Sequence, residues 1–228
     1  GVAAADVYDD PETEADDDRS EIIVATGRGL HYNDLDCELD PAAARFWDGY
    51  IHCYWMDTEG TRQQAWRYPA TDILDDQSRY GGYPACASGA SVGRLMGTDA
   101  PPCIVSVDAS GRVVALRGDL SDTATDDERE LWTFDLPKTW PAPAPPNYKS
   151  VHRYTHGSVT QPLILDVNGD SYQDVIVGTT SGWVYVLDGR EDATTRVLRA
   201  EHTFRSADST TKEGVVEPQD EEVRGLAV

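Results

Sequence analysis

The feature that most constrains this chain is a repeated order of four short apolar runs, punctuated each time by the same kinds of turn. In the clearest copy, Leu163 to Leu165 leads through a polar loop to Val175, Ile176 and Val177. Ser181-Gly182 then turns the chain into Trp183 to Leu187, and a last run spans Arg196 to Phe204. A second copy has Gly89 to Val92, then Cys103 to Asp108, a Ser110-Gly111 turn, Arg112 to Leu116, and Arg129 to Asp135. A third, at the N-terminus, has Ala4 to Val7, Glu21 to Gly29, Gly49 to Asp57 and Arg62 to Tyr68, its middle turn swollen by Leu30 to Asp48. Runs this short, rich in Val and Ile and bounded by Gly, Asp and Ser, predict strands. Trp183, Tyr185 and Leu187 fall on one face of their strand and Val184 and Val186 on the other, so both faces are apolar and both need cover. Small four-stranded sheets that are apolar on both faces stack radially as propeller blades. Two packed sheets of a sandwich explain the alternation but not three copies of one four-strand order.

The expectation is therefore an all-β chain: a β-propeller segment of about three four-stranded blades, within a ring of roughly seven or eight. Blade-like repeats cover about 1–70, 88–137 and 156–205, with 206–228 read as a loop and the first strand of a next blade. The chain begins with Gly inside one copy and ends at Val223 to Val228, which resembles another first strand, so the remaining blades are expected from a longer protein or from another chain. The stiff Pro141 to Pro146 stretch reads as a blade connector, and 9–19 and 206–222 as polar loops.

Residues Asp166 to Asp174 carry the chemistry. Asp166, Asn168 and Asp170 offer side-chain oxygens, Tyr172 its backbone carbonyl, and Asp174 a closing carboxylate, in the order in which a short loop wraps a hard cation. Gly169 permits the tight turn. Val177 replaces the position-twelve Glu of a helix-loop-helix site and the flanks are strands, so this is no EF-hand. Three carboxylates suit Ca2+ better than Mg2+. The competing reading is an Asx-rich turn with no metal. In the first copy Asp6, Asp10 and Glu21 echo Asp166, Asp170 and Asp174, a weaker second site. The middle copy has Gly97 to Cys103 there and has lost the ligands.

The run Asp166 to Gly178 resembles the FG-GAP/VCBS (integrin α-type) calcium repeat. The pattern Gly111 to Leu116 followed by Glu130 to Phe134 resembles the blade motif of quinoprotein-type propellers. The resemblance covers most of residues 1–205 and implies a propeller with metal loops at blade edges. Ser171 departs from the Gly usual after the third ligand.

Composition narrows the partners. With 19 Lys plus Arg against 41 Asp plus Glu, the formal charge is -22. Such a surface repels nucleic acid and anionic membranes, and no apolar run is long enough for membrane insertion. Cys37, Cys53, Cys86 and Cys103 form no CxxC motif, and an even number fits two disulfides, preferably Cys37–Cys53 and Cys86–Cys103; the competing reading is four reduced thiols. The second bridge would close a loop of about 15 residues and clamp the middle copy in place of a metal. Disulfides and a calcium loop agree on an extracellular, cell-surface or periplasmic setting.

Catalytic signatures are sparse. His152 and His156 lack a helix and a third ligand, and neither a nucleophile elbow nor a phosphate-cradling loop occurs. The adjacent cysteines of quinone-binding propellers are missing. Among the six Trp, Trp132 and Trp183 read as core, whereas Trp47 and Trp140 are candidates for stacking on a glycan. The sequence thus predicts a calcium-binding, non-catalytic segment for adhesion, recognition or assembly. The alternatives are part of a quinoprotein-like or polysaccharide-cleaving propeller enzyme, or a structural subunit of a surface appendage.

Overall fold

Alternating apolar residues in three successive groups of four strands give three antiparallel sheets, each a meander in chain order. The computed structural model describes residues 2–7, 20–25, 50–57, 59–70, 87–108, 111–136, 161–179 and 183–202. The first sheet contains β1 (Val2–Ala5), β2 (Glu21–Ala25), β3 (Ile51–Met56) and β4 (Arg62–Tyr68). The second contains β5 (Ala87–Gly93), β6 (Cys103–Asp108), β7 (Arg112–Arg117) and β8 (Glu130–Asp135), with one helical turn, α1 (Asp126–Arg129), before its last strand. The third contains β9 (Leu163–Leu165), β10 (Asp174–Gly178), β11 (Trp183–Leu187) and β12 (Val197–His202). Among the described residues no helix is long and apolar enough to cross a membrane.

The period of two sends alternate residues of the middle sheet to opposite neighbours. Ile104, Val114 and Leu116 join Ile23, Ile51, Cys53 and Trp66 of the first sheet in one buried cluster. Val105, Val107, Val113 and Ala115 join Val175, Val177, Tyr185 and Leu187 of the third sheet in another. Each fully buried Val, Leu or Ile contributes about 1.5–3 kcal/mol, so these two layers are what hold the sheets face to face. The first strands lie side by side, β1 against β5 and β5 against β9, as inner strands do around a propeller axis. The chain folds as consecutive β-propeller blades.

A polar bolt repeats at both blade interfaces. Trp66 of β4 donates its indole N–H to the Gly118 carbonyl just past β7 at 3.1 Å, and Trp132 of β8 donates to the Gly189 carbonyl past β11 at 2.8 Å. The guanidinium of Arg129 lies 4.4 Å from the Trp66 ring centroid, and that of Arg196 lies 4.2 Å from Trp132. Each Arg also ties down the turn before the last strand of its own blade. Arg129 donates to the carbonyls of Leu120 and Ser121, and Arg196 to those of Asp188 and Arg190. A glycine carbonyl, an indole and an arginine thus recur as one hydrogen-bonded unit.

Candidate calcium loop

β9 ends at Leu165, paired with Asp174 at the start of β10, so residues 166–173 form a hairpin loop closed at its base by that carboxylate. The loop is wound around its own acidic side chains. Asp166 accepts the N–H of Gly169 through Oδ1 at 2.6 Å and that of Ser171 through Oδ2 at 2.9 Å. Asn168 Oδ1 accepts the N–H of Asp170, and Asp170 Oδ1 accepts that of Tyr172. Asp174 Oδ2 accepts the N–H of Val167 at 2.9 Å. Gly169 has φ +79 with open space around it, and Ser171 has φ 74, a left-handed conformation where glycine costs less. The Ser171 departure from the repeat pattern is therefore a local strain at the position where glycine was expected.

Asp174 is fully buried, and among the described residues its Oδ1 has no hydrogen-bond partner. Burial pushes its carboxyl above the ordinary range. The Val167 and Asn168 N–H groups pull it back, and the Asp170 and Asp188 carboxylates raise it further. A buried carboxylate oxygen without a donor costs about 1–3 kcal/mol or more, a cost that a hard cation would relieve. The donor set of Asp166, Asn168, Asp170 and Asp174 is all oxygen, so the residues fit Ca2+ chemically. Their present arrangement favours backbone N–H groups: among the described residues no three His, Cys, Asp or Glu side chains are gathered closely enough to hold an ion. Tyr172, expected to offer its carbonyl, has its N–H on Asp170.

The loop docks on the neighbouring blade. Gln173 Oε1 accepts the N–H of Arg94 at 2.5 Å, and the Tyr172 ring lies beside Gly97. Gly189 packs so tightly on the Gln173 carbonyl and Leu95 that a Cβ there would overlap both. Nearby, Ser91 donates to the Pro162 carbonyl and Gln161 to that of Ala90. A fourth carboxylate, Asp188, is buried and held by Arg190 through Nη2 at 2.6 Å and Nε at 3.1 Å. That hydrogen bonding keeps the Asp188 carboxyl below its ordinary range.

The same strand-start position is filled differently in each blade. Glu21, paired with Ala5 as Asp174 is with Leu165, accepts the N–H of Val7 at 2.7 Å. Its alignment with Asp174 is thus met by geometry, with Val7 in the place of Val167. Asp6 precedes that N–H, and Asp10 lies outside the described residues. In the middle blade Cys103 occupies the position, paired with Gly93.

The expected disulfides are corrected by the structure. Cys53 and Cys103 are free thiols, and Cys37 and Cys86 lie outside the described residues. Cys53 points into the cluster between the first two blades and Cys103 into that between the last two, where each packs as a small apolar residue. Burial raises both thiols, that of Cys103 to about 11. The middle loop is instead clamped by Arg94, whose Nη1 donates to the carbonyls of Thr98 at 3.1 Å and Ala100 at 2.7 Å. Trp132 is buried as expected, and Trp183 is half-buried and stacked on Tyr185. Trp47, Trp140, His152, His156, the Pro141 to Pro146 stretch and residues 206–228 lie outside the described residues.

No protein-family model and no curated protein sequence matches the chain. Among solved structures it is similar to BBS1N in a complex with ARL6DN, at 13% identity and a TM-score of 0.42, over 88% of this chain. It is also similar to Sqt1 of Saccharomyces cerevisiae, at 11% identity and a TM-score of 0.36, over 68% of this chain. The chain spans 42% of the BBS1N chain and 46% of the Sqt1 chain.

Proposed function

We propose that this chain is a Ca2+-stabilised, non-catalytic propeller segment that serves adhesion, recognition or assembly. The observation that carries the proposal is the buried, unpartnered Oδ1 of Asp174 at the base of an all-oxygen loop. Asp166, Asn168, Asp170 and Asp174 would hold the ion, which supplies charge neutralisation and a fixed loop conformation when bound. Because Gln173 and Tyr172 of the same loop rest on Arg94 and Gly97, ordering the loop also stiffens the joint between the second and third blades. The ion's role in this reading is structural. An extracellular or cell-surface setting, where free Ca2+ is abundant, rests on the loop alone, since the thiols of Cys53 and Cys103 lend it no support. Other propeller blades or a protein ligand are the partners that suit blade faces and edges.

The test is thermal unfolding and calorimetric titration of the whole chain with Ca2+ after chelation. Binding is expected to raise the melting temperature, with a gain of about 2.7 kcal/mol at a hundredfold excess over Kd. Asp174→Asn should abolish the gain. A melting temperature indifferent to both chelator and Ca2+ refutes the calcium reading. Native mass measurement in parallel reads assembly with other chains, and a glycan-binding screen tests whether the partner is a sugar instead.

A further inference from the structure

The corner beside the loop holds a cation of its own. Arg190 approaches Asp170 Oδ2 with Nη1 at 3.9 Å, and its guanidinium stands 5.7 Å from the centroid of the Tyr172 ring. It is not a wandering surface group. Its Nε bonds both oxygens of Asp188, its Nη2 bonds Oδ2, and its own backbone N–H bonds Oδ1 at 3.0 Å. Asp188 in turn is buried at 2% exposure, so the anchor is fixed by the core. Asp170 Oδ2 faces this charge while also accepting from the Asn168 side chain at 3.2 Å. Arg190 thus reaches two carboxylates, Asp170 and Asp188, both of which act on the buried Asp174, and it is pinned where it offsets them.

We infer that Arg190 is a built-in counter-cation that competes with a divalent ion for Asp170 and sets the affinity of the loop. The inference rests on the reading of the loop as a calcium site and deepens it. An ion using Asp170 Oδ2 lies within a few ångströms of a fixed positive charge, and at the effective dielectric of a protein surface that repulsion is not screened away. The guanidinium cannot relieve it by losing a proton. It can only be displaced, at the expense of its contact with Asp170. Arg190 thus keeps the loop closed when Ca2+ is scarce and makes the filled state more costly, so the joint between blades responds to Ca2+ concentration instead of holding the ion permanently.

The experiment is calorimetric titration with Ca2+ of the whole chain and of Arg190→Gln, Arg190→Lys and Asp174→Asn, with folding checked by melting in chelator. Arg190→Gln is expected to bind about tenfold more tightly than wild type. Arg190→Lys, which keeps the charge but lacks the planar fork that pins it on Asp188, should bind about threefold more tightly. Asp174→Asn should not bind. If wild type binds and a folded variant of either kind at position 190 binds no more tightly, the inference is overturned while the calcium site stands. If neither wild type nor any Arg190 variant binds, the calcium reading fails and takes this inference with it.

Discussion

Replacing Trp132 by Phe removes one polar atom from the joint between the second and third blades and leaves most of the ring. The indole N–H donates to the Gly189 carbonyl at 2.8 Å in a buried setting. Loss of that donor leaves the carbonyl unsatisfied, a cost of about 1–3 kcal/mol. The smaller ring also gives up packing volume in a layer where Trp132 is 7% exposed, about 1 kcal/mol more. Arg196, 4.2 Å from the ring centroid, keeps an aromatic partner but a poorer one, for a further loss of about 0.5 kcal/mol. The sum is about 2.5–4.5 kcal/mol, a large share of the stability of an ordinary domain. Urea unfolding monitored by circular dichroism measures it, with the midpoint falling at unchanged slope. Trp66→Phe makes the parallel change at the first joint, where the donor distance is 3.1 Å, and should fall in the same range. A double-mutant cycle of Trp132→Phe with Arg196→Met should return a coupling near 1 kcal/mol. Losses below about 1 kcal/mol at both tryptophans would refute the bolt as a determinant of blade docking.

Other outcomes follow from the loop and the thiols. Gly189→Ala puts a Cβ against the Gln173 carbonyl and 2.9 Å from Leu95 Cδ2, and should cost about 3 kcal/mol or more in urea unfolding, whereas Gly169→Ala, with open space but φ +79, should cost about 1 kcal/mol. Ser171→Gly relieves a residue at φ 74 and should raise stability by about 0.5–1 kcal/mol. In chelator, the raised carboxyl of Asp174 binds its proton more tightly folded than unfolded, so its contribution to stability falls as pH rises from the ordinary carboxylate range through its folded value. Asp188, held below its ordinary value, has the opposite sign and stabilises above the ordinary range, so the Asp174 contribution is read as the difference between wild type and Asp174→Asn across acid pH. Cys53 and Cys103 should resist alkylation in the native protein and react fully once unfolded, as peptide mass mapping would show.

The blade order was legible because each strand carries its own evidence. The alternation in Trp183 to Leu187 predicts burial on both faces; Tyr185 and Leu187 are buried in the layer against the second blade, whereas Val184 and Val186 on the other face are only half-buried. The Asp166 loop was legible because its residues interact locally, within a span of eight residues or fewer. The bolt was not, since the indoles of Trp66 and Trp132 meet glycines more than fifty positions away in the next blade. Trp132 could be read as core, but its hydrogen-bond acceptor is a tertiary fact. Thr125 and Glu128 form a capping box that marks the turn α1, which the apolar run after Arg129 masks in the sequence. Arg190 carries no comparable local signal: beyond its neighbour Asp188, its partner Asp170 meets it only when β11 folds back on β10.

The disulfide expectation failed for an instructive physical reason. Parity and spacing of cysteines report a framework only when the side chains have no better use, and here Cys53 and Cys103 fill apolar positions in the interblade layers. Cys103 holds the strand-start position that Glu21 and Asp174 hold in the other blades. A carboxylate there gathers the N–H groups of the loop that precedes it, as Glu21 does for Val7 and Asp174 for Val167. With a thiol at that place the middle loop has no anion at its base, and its fixed point comes from a cation on the opposite side of the same hairpin: Arg94, donating to the carbonyls of Thr98 and Ala100. The polarity of the clamp is inverted, from acceptors gathering N–H groups to a donor gathering carbonyls. The third blade docks on that same clamp, since Gln173 of its acceptor-lined loop accepts the N–H of Arg94 itself.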